Sequence, residues 1–92
     1  DADCAERIFA ASKGQPPVRL LVNNAACFEY DGFGEVSAKL FDHHLGINAR
    51  APMLLIGQLA RRHSEGEALV VNLLDAKLAA PNPDFLSYTI SK

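Results

Sequence analysis

Val18-Arg19-Leu20-Leu21-Val22 and Ala68-Leu69-Val70-Val71-Asn72-Leu73-Leu74 are the two stretches that decide the fold. The first is apolar and rich in β-branched residues, and it lies between Pro16-Pro17 and Asn23-Asn24. That bounding reads as a short buried strand. The second is apolar at both alternating sets of positions except Asn72, so it reads as a strand covered on both sides, as parallel strands are. Outward from these runs the periodicity becomes helical. Residues 1–13 carry Ala5, Ile8 and Phe9 at helical spacing, with Asp1 or Asp3 available as a cap and Gly14 as the stop. Ser37 starts a second helix with Leu40, Phe41, His44, Leu45 and Asn48 on one face. Pro52 either kinks it or sits in the first turn of another. Met53 to His63 continues the pattern and ends in Arg61-Arg62-His63, cations placed favourably for the helix dipole. A surface turn follows at Ser64-Glu65-Gly66-Glu67, and a Pro/Asn/Asp loop spans 76–86 before a last helix begins at Ser87. Strands alternating with helices imply an α/β fold. The chain is expected to be part of a doubly wound, Rossmann-type parallel sheet with right-handed crossovers and helices on both faces.

The chain has 92 residues, 49% of them apolar and 22% charged, with a net charge of −2. It carries no basic stripe, so nucleic acid and anionic lipid are poor partners on electrostatic grounds. No apolar run approaches the roughly 18 residues of a membrane span, and no segment reads as a signal peptide. Cys4 and Cys27 lack metal-like spacing, which points to a reducing, cytoplasmic setting rather than a disulfide or zinc scaffold. A chain of this length buries only about 60–65% of its unfolded surface, a thin core. It reads as the middle of a larger α/β domain.

In an open parallel sheet ligands sit beyond the carboxyl ends of the strands. Here those ends carry Asn23-Asn24 and Asp75. The long connection after the first strand holds Phe28, Tyr30 and Phe33, and loops of that length tend to be functional. Tyr88 and Lys92 are i and i+4 on one helical face, and an ammonium beside a phenol lowers its pKa from about 10. Such a tyrosine suits proton transfer. Singly, each residue also has an ordinary reading. Tyr88/Lys92 is a surface aromatic–cation pair, Asn48 a satisfied helix polar group, Asp75 a turn cap and Phe28 a core ring. His43 and His44 read as solvated helix histidines, with no third ligand spaced for a metal. Cys27 reads as a small buried apolar residue rather than a reactive thiol.

Taken in order, Asn23-Asn24-Ala25-Ala26 after a strand, Asn48 in the next helix, Asp75 at the next strand end and Tyr88-x-x-x-Lys92 thirteen residues on resemble the short-chain dehydrogenase/reductase family. The resemblance covers essentially the whole chain. Asp75 stands where the family has a catalytic serine. Asp there, and an aromatic residue (Phe28) shortly after Asn-Asn-Ala, resemble the pteridine reductase branch, although that branch usually has Ser where this chain has Ala26. The resemblance implies that Tyr88 donates a proton as hydride arrives and that Lys92 holds the nicotinamide ribose and lowers the phenol pKa. It gives Asn48 a water in the proton relay. Asp75 would orient a pterin ring nitrogen or hydrogen-bond Tyr88, and Phe28 would stack on the substrate. Asn23, Asn24, Ala25 and Ala26 would run beside the cofactor, NADP(H) in preference to NAD(H). Met53, Leu54, Leu55 and Leu59 would lie in the core or at the interface of a homo-oligomer, a dimer or tetramer.

No glycine-rich dinucleotide turn occurs in the chain. Residues 1–92 are therefore expected to be a central segment lacking the N-terminal cofactor-binding unit and the C-terminal part, and inactive alone. Three functions stay open: an NAD(P)H-dependent carbonyl or imine reductase acting on a pteridine, a general ketone or 3-oxoacyl reductase, and a non-catalytic nucleotide-sensing or scaffold member.

Overall fold

The structure, a computed structural model, describes residues 3–92. The elements run α1 (Cys4–Ala11), β1 (Leu20–Asn23), α2 (Ala38–Leu45), a π-helical turn (Gly46–Arg50), α3 (Ala51–Arg62), β2 (Leu69–Asn72), a 3-10 turn (Ala76–Leu78) and α4 (Leu86–Ser91). The strands are parallel and in register from Leu20 beside Leu69 to Asn23 beside Asn72. Asn23 Nδ2 donates to Asn72 Oδ1 at 2.7 Å, so the pair of asparagines closes the carboxyl end of the ladder.

α1 begins after Asp3, whose carbonyl accepts from the Arg7 amide at 3.0 Å. The alternative cap, Asp1, lies outside the described residues. Gly14 takes a positive φ of 87° beyond the helix end, a conformation that costs glycine little. α2 starts as expected: the Ser37 hydroxyl accepts from the Leu40 amide at 3.1 Å. Pro52 lies in the first turn of α3. It has no N–H to offer the Asn48 carbonyl, and the chain accommodates this by a π turn in which the Ala51 amide bonds to the Gly46 carbonyl. α2 and α3 are thereby joined without a break, and Asn48 sits on the bulge.

α1 packs on α3 and α4 on α2. Ile8, Phe9, Val18, Leu21 and Leu55 surround an apolar hollow between the helices and β1. The helices therefore cover the Leu21 side of the sheet. On the alternate side Leu20, Val22 and Leu69 are exposed among the described residues. The described residues extend over 49 × 27 × 15 Å, with a radius of gyration of 15.5 Å. A compact domain of this length has about 12 Å. Ala5, Phe9, Leu59 and Tyr88 are the buried apolar side chains.

Candidate functional site

Asp75 follows β2 and opens the 3-10 turn, with Oδ1 accepting from the Lys77 amide at 2.9 Å. That bond fixes the carboxylate and leaves Oδ2 pointing at α4. The Tyr88 hydroxyl donates to Oδ2 at 2.8 Å. The thirteen-residue spacing thus brings phenol and carboxylate into contact. Tyr88 is only 6% exposed. Lys92, one turn on, holds its ammonium 6.0 Å from the centroid of the Tyr88 ring.

This geometry corrects one expectation. The phenol pKa is not lowered by Lys92 but pushed up to about 12, by burial first and then by the hydrogen bond and negative charge of Asp75. Burial and the carboxylate together outweigh the Lys92 ammonium, which lies 6.0 Å from the ring centroid. Asp75 moves the opposite way. The Lys77 amide and the Tyr88 hydroxyl hold it below the usual carboxylate value, against a smaller effect of burial. At neutral pH the pair is therefore a protonated phenol donating to an ionised carboxylate.

Phe28 stands beside this pair. Its ring meets Tyr88 edge-on at 4.7 Å and stacks on Phe85 at 4.3 Å with planes 11° apart. It is nonetheless 59% exposed, so a backed aromatic surface faces outward next to the phenol. Phe85 takes a left-handed backbone (φ 54°, ψ 49°) immediately before α4, unusual for a bulky residue. Tyr30 meets it edge-on at 5.2 Å, and the Lys77 ammonium lies 5.0 Å from its ring.

Asn48 couples the loop, the bulge and α4. Its Oδ1 accepts from the Cys27 amide at 2.8 Å, and its Nδ2 donates to the Cys27 carbonyl and the Ser91 hydroxyl, each at 2.9 Å. Its side-chain amide is thus engaged by the chain itself. Asn23 closes the strand pair, Ala25 lines an adjoining groove, and Asn24 and Ala26 are exposed. That groove, about 220 Å³, lies at the carboxyl ends of both strands and is bordered by Asn23, Asn48, Leu73, Ser91 and Lys92.

Sequence reading missed several residues of this neighbourhood. Asp31 is buried and accepts from both the amide and the hydroxyl of Ser87. It caps α4 from a distant loop and fixes the helix that carries Tyr88. No periodicity marks an acid in a long loop. Burial pushes its pKa up, but the Ser87 bonds, the nearby His44 and the Leu86 amide outweigh that and hold it down. Ser91 bridges Asn48 to the Tyr88 carbonyl. The clue available was its place in Tyr88-x-x-Ser91, one turn from the tyrosine. His44, expected to be solvated, is fully buried. The Glu29 amide donates to its Nε2 at 3.0 Å, and its ring approaches Tyr88 at 6.2 Å. The folded loop covers it, and so it is withdrawn from water. The expectation that no third metal ligand is available also changes. Ligand atoms of Cys27, Glu29 and His43 lie within 4.8 Å of one another.

No family model matches the sequence. An uncharacterized oxidoreductase of Bacillus subtilis, YjdA, is 30% identical over 76 residues, 79% of this chain and 30% of that protein. Among solved structures, FolM alternative dihydrofolate reductase 1 from Brucella suis, crystallised with NADP, is 35% identical with a TM-score of 0.90, over 99% of this chain and 40% of that one. A blue fluorescent protein from a metagenomic library, in complex with NADPH, is 26% identical with a TM-score of 0.86, over 100% of this chain and 38% of that one. The short-chain dehydrogenase/reductase of Serratia marcescens shares the fold at a TM-score of 0.86 and 23% identity. The chain spans less than half the length of each of these relatives. No helix among the described residues is long and apolar enough to cross a membrane. Over nearly its full extent the chain has the fold of reductases crystallised with NADP or NADPH.

Proposed function

We propose that these 92 residues are the central segment of an NADP(H)-dependent reductase of the short-chain dehydrogenase/reductase family, with Tyr88 as its proton donor. The observation that carries this reading is the 2.8 Å bond from the Tyr88 hydroxyl to Asp75 at the end of β2, with the Lys92 ammonium beside the same ring. The residues present suit the nicotinamide end of such a cofactor. The groove at the strand ends is where open parallel sheets receive ligands, and it brings Lys92, Asn23 and Ala25 to one wall. The diphosphate needs a glycine-rich turn that other parts of a longer protein would contribute. When bound, the reduced nicotinamide supplies hydride to an unsaturated carbon of the substrate.

The chain's own residues handle the proton. Tyr88, protonated throughout the neutral range, gives its hydroxyl proton to the substrate oxygen or nitrogen as that atom gains the electron pair of the broken double bond. The phenolate left behind is adjacent to the Asp75 carboxylate, and like-charge repulsion drives its reprotonation from solvent. Lys92 offsets part of that negative charge and is suited to hold the ribose. Asn48, through Cys27 and Ser91, acts as a positioning residue that keeps the Phe28 loop and α4 at a fixed distance. Because its side chain is committed there, a relay water would meet its backbone carbonyl.

A flat bicyclic substrate such as a dihydropterin suits the exposed face of Phe28, which Phe85 backs in parallel. The name of the Brucella suis relative, an alternative dihydrofolate reductase, favours the same class. Exposed Met53 and Leu54 on α3 fit burial against a second copy in a homo-oligomer, and two free cysteines fit a cytoplasmic setting. NADPH oxidation by the full-length protein with a dihydropterin and with a panel of ketones and 3-oxoacyl thioesters tests the reading. Turnover of the dihydropterin is expected. Turnover of ketones alone would move the substrate to the ketone class, and no NADPH consumption with any of them would remove the reductase.

A further inference from the structure

We propose that Cys27, Glu29 and His43 form a binding site for a borderline-soft divalent cation of the zinc type, with thiolate, carboxylate and imidazole as ligands. Cys27 Sγ lies 3.7 Å from Glu29 Oε1, and His43 Nε2 lies 3.9 Å from that same oxygen. All three ligand atoms fall within 4.8 Å of one another. In a tetrahedral zinc shell, with sulfur at about 2.3 Å and nitrogen and oxygen near 2.1 Å, the sulfur–oxygen edge is about 3.6 Å and the nitrogen–oxygen edge about 3.4 Å. The first edge is already formed. The second needs a contraction of about half an ångström, within reach of a rotamer adjustment at an exposed histidine.

The backbone under the site is fixed by bonds unrelated to any ion. Asn48 takes both the amide and the carbonyl of Cys27, and His44 takes the amide of Glu29. Two ligands spaced i and i+2 on this pinned stretch project toward the helix that supplies the third. The neighbouring hollow, about 660 Å³ and lined by Glu29, Lys39, Asp42 and His43, leaves the fourth position open to water. Mixed sulfur, nitrogen and carboxylate ligation with one open position suits zinc-type ions and excludes calcium and magnesium, which want oxygen throughout. On binding, the Cys27 thiol proton passes to the buffer and a metal–sulfur bond replaces the S–H bond. Phe28 lies between two of the ligands, so a bound ion would tighten the loop that carries it. The site stands on its own geometry and does not rest on the reductase reading.

Co²⁺ titration of the full-length protein under reducing conditions tests this by the thiolate-to-cobalt charge-transfer band. The expected result is a band that saturates at one equivalent, is displaced by Zn²⁺, persists in Cys4→Ser and disappears in Cys27→Ser. Glu29→Gln and His43→Gln alter exposed side chains and should bind Co²⁺ more weakly by about tenfold or more. If Cys27→Ser does not fold, those two variants decide alone. No band in the wild type, a band that survives Cys27→Ser, or unchanged affinity in either Glu29→Gln or His43→Gln would overturn the proposal.

Discussion

Replacing Asp75 by asparagine should make Tyr88 more acidic. Asparagine can keep Oδ1 for the Lys77 amide and set its Nδ2 opposite the Tyr88 hydroxyl, whose oxygen can then accept, so the turn and its contact with α4 are preserved. What is lost is the negative charge. The phenol stands at about 12, roughly two pH units above its ordinary value of about 10. Burial is the largest cause, and the Asp75 bond and charge make up the remainder. The carboxylate's share is less than that whole rise, so its removal should change the phenol's proton affinity by under about a hundredfold. Carbon-13 tyrosine NMR of the full-length protein reads this directly, with the Tyr88 resonance assigned by its loss in Tyr88→Phe. Stability should follow with a defined sign. A phenol whose folded pKa lies above its unfolded value contributes stability that is present below about pH 10 and is lost as pH rises through about 12. In Asp75→Asn that loss should come at lower pH. A Tyr88 titration that stays put or moves up would refute the argument that Asp75 helps to hold the phenol up.

Three further outcomes follow from the contacts around the site. Asp31→Ala should cost about 2–4 kcal/mol in denaturant unfolding, because it leaves a buried amide and hydroxyl of Ser87 unpaired. Since the Asp31 carboxyl is held below the usual value, its contribution should be intact above about pH 4 and be lost as pH falls through its folded pKa; acid melts that are identical with and without Asp31 would contradict this. Asn48→Ala should cost about 2–3 kcal/mol and speed hydrogen exchange at the Cys27 amide, which loses its acceptor. Phe85→Gly should be more stable than Phe85→Ala by about 1 kcal/mol, because glycine tolerates the left-handed backbone while both variants lose the Phe28 stack.

Those residues also mark how far the sequence could be read. The strands were legible because their apolar runs stop at prolines, asparagines and an aspartate, and α2 because Ser37 has the chemistry of a cap. The pairing of Asp75 with Tyr88 was legible as a spacing. That burial and Asp75 would outweigh Lys92 was not, since helical periodicity brings two residues to one face without showing how deep the hydroxyl lies or what it bonds. The contacts of the 24–37 loop were hidden for a different reason. Asp31 to Ser87, Glu29 to His44 and Cys27 to Asn48 depend on the path of a segment with no repeating pattern. The amides at Glu29 and Cys27 find partners only once that path is set. A strand apolar on both sides, as β2 is, belongs inside a sheet with two helix layers, and exposed Leu20, Val22 and Leu69 mark the face such a second layer would take.

The account turns on the hydroxyl of a single side chain, and single-turnover NADPH oxidation by full-length Tyr88→Phe protein reads its contribution with the least interference. The ring, its contacts with Phe28 and His44 and its burial are retained, while the transferable proton is gone. A fall in rate of about 10²–10⁴-fold, with NADPH affinity little changed, is the predicted result for a lost general acid. A variant that oxidises NADPH as fast as the parent would contradict the assignment of Tyr88 as proton donor.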